Sequence, residues 1–136
     1  MRIGIQKRRG AAVVESAIVL PILLTVLLAI IVGAFAVFIH EQTASLAREG
    51  ARYAAVHGAY YSQSQSTPAA TPADVYNNAI APRMVAMDAA NLTYSVTWNP
   101  DKRPGSYVTV TVTYQLSVPV YGNLTLSSTS TEEMHW

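Results

Sequence analysis

The chain has 136 residues, 51% of them apolar, with a formal net charge of +1 and a mean hydropathy of +0.23. Nine Lys and Arg against eight Asp and Glu leave no basic excess for binding nucleic acid, and the lack of cysteine removes disulfides, thiol catalysis and zinc–thiolate sites together. Charge is instead sorted by position: Arg2, Lys7, Arg8 and Arg9 fall within the first nine residues, with no acid among them.

Residues 1–10 read as a basic leader. Residues 17–39 then run 23 positions without a charge, dominated by Ile, Leu, Val and Ala. A helix of that length rises ~34 Å, enough for a hydrocarbon core of ~30 Å. Pro21 and Gly33 weaken a helix in water, yet both are tolerated in a membrane span. The basic cluster precedes the span, whereas the downstream flank mixes Glu41, Arg48, Glu49 and Arg52. That asymmetry predicts a single-pass protein of the cytoplasmic (inner) membrane, with a cytoplasmic N-terminus and an exported C-terminal domain. A buried core helix fits 23 uncharged residues poorly. A cleaved secretory signal is the closer rival, because Ala34, Phe35 and Ala36 have the A-x-A form, but the apolar stretch before them exceeds an ordinary signal core.

The helix is expected to continue outside the bilayer, giving a segment over residues 11–59. Ala44, Ala47, Ala51, Ala54 and Gly58 recur at spacings of 3, 4, 3 and 4, a narrow seam of small residues that extends back to Gly33. Such a seam admits close approach of another backbone. Two partners remain open for it, a helix of a neighbouring subunit or this chain's own domain. Residues 60–72 are rich in Ser, Gln, Thr and Pro and read as a linker or loop.

An exterior α+β domain is expected over 73–136. Thr71, Pro72 and Asp74 supply a cap, a first-turn proline and a first-turn acid, which predicts a helix from 72 to about 90, interrupted at Pro82. Leu92, Tyr94, Val96 and Trp98 alternate with polar residues, as do Val108, Val110, Val112, Tyr114, Leu116 and Val118. Period-2 patterns of this kind predict strands, joined by a turn at 100–105. A bend over 119–123 leads to a weaker third strand at 124–131. The short connections favour a three-stranded antiparallel sheet. Its apolar face is expected to lie under the 72–90 helix, with a Thr/Ser face left outside.

The junction carries a resemblance. Lys7, Arg8, Arg9 and Gly10 are followed by Ala11, Ala12, Val13, Val14 and Glu15, then by the apolar span with Leu20 and Pro21 inside it. This arrangement resembles class III signal peptides. It is similar to TadE-like and TadG-like proteins of tight-adherence (Tad/Flp) pilus systems, and the stretch from Ala47 to Ala55 is similar to the helix that follows the membrane in that family. The resemblance implies a minor pilin or pseudopilin that takes part in pilus assembly. It implies cleavage by a prepilin peptidase between Gly10 and Ala11. Glu15 would then pair with the ammonium of a neighbouring processed Ala11. The implied partners are other pilins (the Flp-type major pilin and TadE-, TadF- and TadG-like proteins), the prepilin peptidase, the Tad membrane platform and the lipid bilayer. Ser16 departs from the pattern, since that family has an aromatic residue after the Glu. On the residues alone, Glu15 reads rather as a carboxylate at the membrane interface without a partner, and it is the resemblance, with Gly10 at the expected offset, that reverses the preference.

Residues for catalysis are not assembled in the sequence. There is no G-x-S-x-G or H-E-x-x-H motif, no Gly-rich phosphate loop, and His40, His57 and His135 stand far apart. No cofactor, no metal and no enzymatic activity are therefore expected. Two rival functions remain beside the pilin reading: an uncleaved membrane anchor carrying an exterior binding module, and an exported enzyme, which needs a convergent set of titratable groups in a pocket.

Overall fold

The structure is a computed structural model that describes residues 5–118 and 122–135, with side chains from residue 10 onward. It is α+β. A long helix, α1 (Ile5–Val56), is followed by α2 (Ala59–Gln65) and α3 (Pro72–Val75). Strands β1 (Leu92–Asn99), β2 (Tyr107–Val118) and β3 (Gly122–Glu133) complete the chain. The chain divides into two units, Met1–Phe35 and Ala36–Trp136.

In the first unit α1 is a helix of bare hydrocarbon. Every Val, Leu and Ile from Val13 to Ile31 is between 48% and 68% exposed, so no described residue covers this surface. Its mean hydropathy reaches 3.1, and it is the one helix among the described residues long and apolar enough to cross a membrane. Backbone satisfaction is internal, as a bilayer requires. The hydroxyls of Ser16 and Thr25 donate to the carbonyls of Ala12 (2.9 Å) and Pro21 (2.8 Å), hiding two polar side chains against the helix itself. Pro21 lies inside α1 without ending it.

In the second unit the core forms around an antiparallel sheet of order β1-β2-β3. Leu92, Tyr94, Val96 and Trp98 of β1 stand opposite Tyr114, Val112, Val110 and Val108 of β2, which places all eight on one face. Val108, Val110 and Val112 are fully buried there. On the other face Thr109, Thr111 and Thr113 pair with Thr131, Thr129 and Ser127 of β3, with oxygen–oxygen distances of 2.9 to 3.0 Å. Both edges of β2 are thus occupied. The third strand is longer than its predicted 124–131 because its ladder extends to Gly122 and Glu133. Of the bend expected before it, residues 119–121 lie outside those described.

Three expectations need correction. The helix predicted for 72–90 stops at Arg83: α3 passes into a π-helical turn (Tyr76–Ile80) and a 3-10 turn (Ala81–Arg83) that contains Pro82. Proline has no N–H to continue the ladder, and its ring crowds the preceding turn, so the chain leaves in extended form at Met84. The cap was legible: Thr71 Oγ1 accepts from the Asp74 N–H, while the Asp74 carboxylate accepts from the Thr71 N–H at 2.9 Å. Second, part of the stretch read as a loop from residue 60 is helical, as α2. Third, the apolar sheet face is not covered by the 72–83 run alone. Residues 36–56 of α1 share that task, since a Cβ built on Gly50 would lie 3.1 Å from Val110 Cγ1 and 3.5 Å from Ile80.

Candidate functional site

The candidate site is a surface: the start of α1 and its uncovered apolar face. Gly10, Ala11 and Glu15 are all exposed on α1. A Cβ at Gly10 would meet nothing within 4 Å, and Gly33, further along the same helix, is equally open. Glu15 makes no ion pair among the described residues, and with Ser16, Val19, Leu20 and Leu23 it lines a shallow recess on the helix surface beside Pro21. A carboxylate flanked by Val and Leu costs free energy inside hydrocarbon, on the order of a few kcal/mol at depth and less near the headgroups. The basic cluster Lys7 to Arg9 lies in α1, but its side chains fall outside those described.

The seam of small residues divides. Gly33 is exposed, whereas Ala47, Ala51 and Ala54 have no exposed surface, Gly58 is buried and Ala44 is half-buried. A close backbone approach is seen at Gly58, and the backbone that approaches belongs to this chain. A Cβ on Gly58 would collide with Met134 Cε and lie 2.8 Å from the Lys102 carbonyl oxygen, which also accepts the Ala59 N–H at 2.8 Å. Of the two partners the sequence left open, the structure gives these residues the intramolecular one. Gly33 and the apolar face before it stay open.

Sequence reasoning missed several members of this buried face. Ile39, Thr43, Leu46 and Gly50 join Ala47, Ala51 and Ala54 in the core. Their 4, 3, 4 spacing was available as a helical stripe. The stripe was obscured because Ile39 is also the last residue of the uncharged stretch, and a buried Thr looks polar until its hydroxyl is seen donating to the Ile39 carbonyl at 2.9 Å.

Residues 10–52 match the sequence model of the TadE-like protein family. This segment is TadE-like. It begins at the glycine that ends the basic leader, takes in the whole exposed apolar helix and ends within the part of α1 that packs on the sheet. The match leaves residues 53–136 outside it. Neither the curated proteins nor the solved structures give a match to the chain.

Proposed function

We propose that the chain is a membrane-anchored minor pilin or pseudopilin, held in the cytoplasmic membrane by the apolar part of α1, that takes part in assembling a tight-adherence pilus. One observation carries this reading: the TadE-like match over residues 10–52 takes in the exposed apolar stretch of α1. A helix with hydrocarbon on all sides is stable only in lipid or against other apolar helices, and a pilin passes from the first environment to the second. Cleavage after Gly10 would leave an ammonium on Ala11, one helical turn from Glu15, and the carboxylate of one subunit would neutralise the ammonium of the next. The role is structural rather than catalytic. Its partners are the major pilin, related minor pilins, the prepilin peptidase and the membrane platform.

The mature N-terminus tests this. Protein extracted from membranes of cells with the prepilin peptidase should begin at Ala11, and from cells without it at Met1. A Gly10→Ala variant should stay full-length and fail to support pili. Recovery of Met1 in both strains would instead establish the second reading, an uncleaved anchor with an exterior binding module. Ser16 favours that alternative: its hydroxyl is spent on the Ala12 carbonyl where the family carries an aromatic ring.

A further inference from the structure

The sheet of the second unit has two open edges. β1 and β3 each pair with β2 on one side only, and no backbone group of residues 93–99 or 122–133 hydrogen-bonds outside these two ladders among the described residues. An open edge presents a row of unpaired donors and acceptors, and proteins guard it with lysine, proline, a bulge or a very short strand. Neither edge has such a guard. β3 runs for 12 residues with no proline, no charge before Glu132, and a ladder that advances residue for residue without a bulge. β1 is 8 residues long and has neither charge nor proline.

Direction narrows what can pair there. Because β1 and β3 are both antiparallel to β2, they run the same way. A second copy can therefore lay its β1 along this copy's β3, as a parallel neighbour, without being turned over. Antiparallel contact of β3 with β3, or of β1 with β1, instead relates the copies by a two-fold axis and reverses one of them within the plane of the sheet. Chains inserted alike in one membrane keep one direction, so the membrane-anchor reading, on which this choice rests, selects the head-to-tail arrangement.

Side chains and charge fit a second copy. Ser95, Thr111 and Thr129 form one row across the outer face, and Leu92, Tyr114 and Leu126 one row across the inner face. Repeating the sheet sideways sets Thr129 beside the next copy's Ser95 and Leu126 beside its Leu92, so hydroxyl meets hydroxyl on one face and leucine meets leucine on the other. The ends are complementary in charge. Glu132 and Glu133 close β3 without an ion pair among the described residues, while Lys102 and Arg103 follow β1 at the same end of the sheet, with the Arg103 side chain 79% exposed. We propose that β3 of one chain pairs in parallel with β1 of a second copy, head to tail, with Glu132 and Glu133 against the Lys102–Arg103 turn of that copy. Each copy added leaves the same edge open for another, so the contact builds a line or a ring rather than stopping at two.

The chain has no cysteine, so introduced thiols report the contact directly. Within one copy β1 and β3 lie two strand spacings apart, roughly 9.6 Å, beyond the ~6.8 Å reach of a disulfide, so a bond between them joins two copies. Full-length Ser95→Cys and Thr129→Cys chains, one with a size tag, are co-expressed in cells lacking the prepilin peptidase and oxidised in their membranes. The mixed disulfide-linked pair should form in clear excess over either like pair, and both substitutions in one chain should give a ladder of oligomers that collapses on reduction. Ser127→Cys and Thr131→Cys, used in place of Thr129→Cys, cover a register displaced by two residues. Glu132→Lys with Glu133→Lys in the β3 partner, checked for unchanged thermal unfolding, should cut the mixed product roughly threefold, as expected for exposed charge pairs, and Arg103→Glu in the β1 partner should restore it. Absence of a mixed product at all three positions would overturn the proposal, as would like pairs in equal yield or a yield indifferent to charge reversal. None of these outcomes depends on leader cleavage or on pili, so the proposal can fail while the pilin reading stands.

Discussion

At the scale of single residues, the most exacting positions are those where the second unit has no room for a methyl group. Gly58 sits between the Met134 side chain and the Lys102 backbone, and the backbone cannot yield as a side chain can. Gly58→Ala is expected to cost about 1–3 kcal/mol, typical of forced overpacking. In a domain of this size that lowers the midpoint of thermal unfolding by roughly 5–20 °C, readable by circular dichroism. Gly50→Ala should be milder, because its near neighbours are the ends of the Val110 and Ile80 side chains. Two carboxylates set the response to acid. Hydrogen bonds from the Thr71 side chain and backbone hold Asp74 below its ordinary range, and the Arg103 N–H and the Ser106 hydroxyl do the same for Asp101. A carboxyl with a depressed folded-state pKa contributes stability above its unfolded value and loses it as pH falls through the folded one. Unfolding temperature should therefore be flat near neutrality and decline below about pH 4. Replacing both aspartates with asparagine should make that decline shallower; an unchanged profile would show that other groups govern it.

At the scale of elements, α1 is one helix with two different surfaces, and each was visible to a different degree. The apolar run is a composition signal that survives any tertiary context, so its presence was legible. Its end was not, because Ile39 satisfies the same rule whether it faces lipid or a protein core. The sheet was legible from period-2 alternation, and the capping box from three residues. By contrast, the helical turn of α2 within a Ser/Gln-rich stretch, and the switch to π-helical geometry after Val75, carry no local signal strong enough to read. The outer Thr/Ser face of the sheet makes an element-scale prediction. Thr111 and Thr129 share a hydrogen bond of 2.9 Å across the β2–β3 pair. A double-mutant cycle to alanine at these positions should return a coupling of about 0.2–1 kcal/mol. A value indistinguishable from zero would mean that both hydroxyls bond to water in preference to each other.

For the whole molecule, membrane residence and domain folding are separable. A single Leu27→Arg substitution places a charge in the middle of the apolar face at a cost of about 2.5–3.5 kcal/mol. It should shift the chain out of the membrane fraction while leaving the Tyr and Trp signature of the exterior domain intact. In sealed spheroplasts the exterior domain should be digested by added protease, and protection of that domain would reverse the proposed orientation. These outcomes bear on the membrane assignment rather than on the pilus role, which the identity of the mature N-terminus decides.

By itself the sequence determined the features whose physics is local: a stretch too apolar for water, a charge bias at one end of it, a helix cap, and strands that alternate with period two. Tertiary structure alone decided what each face meets. The small-residue seam promised a close backbone neighbour, but spacing along one helix cannot say whose, and at Gly58 the fold supplied Lys102, with the Met134 side chain, from this same chain. Likewise the stacking of Tyr53 on His57 and the edge-on contact of Tyr61 with His57 appear only in the fold. The reason is that periodicity fixes the direction of a side chain relative to its own element, whereas the partner it finds depends on contacts between residues far apart in the chain.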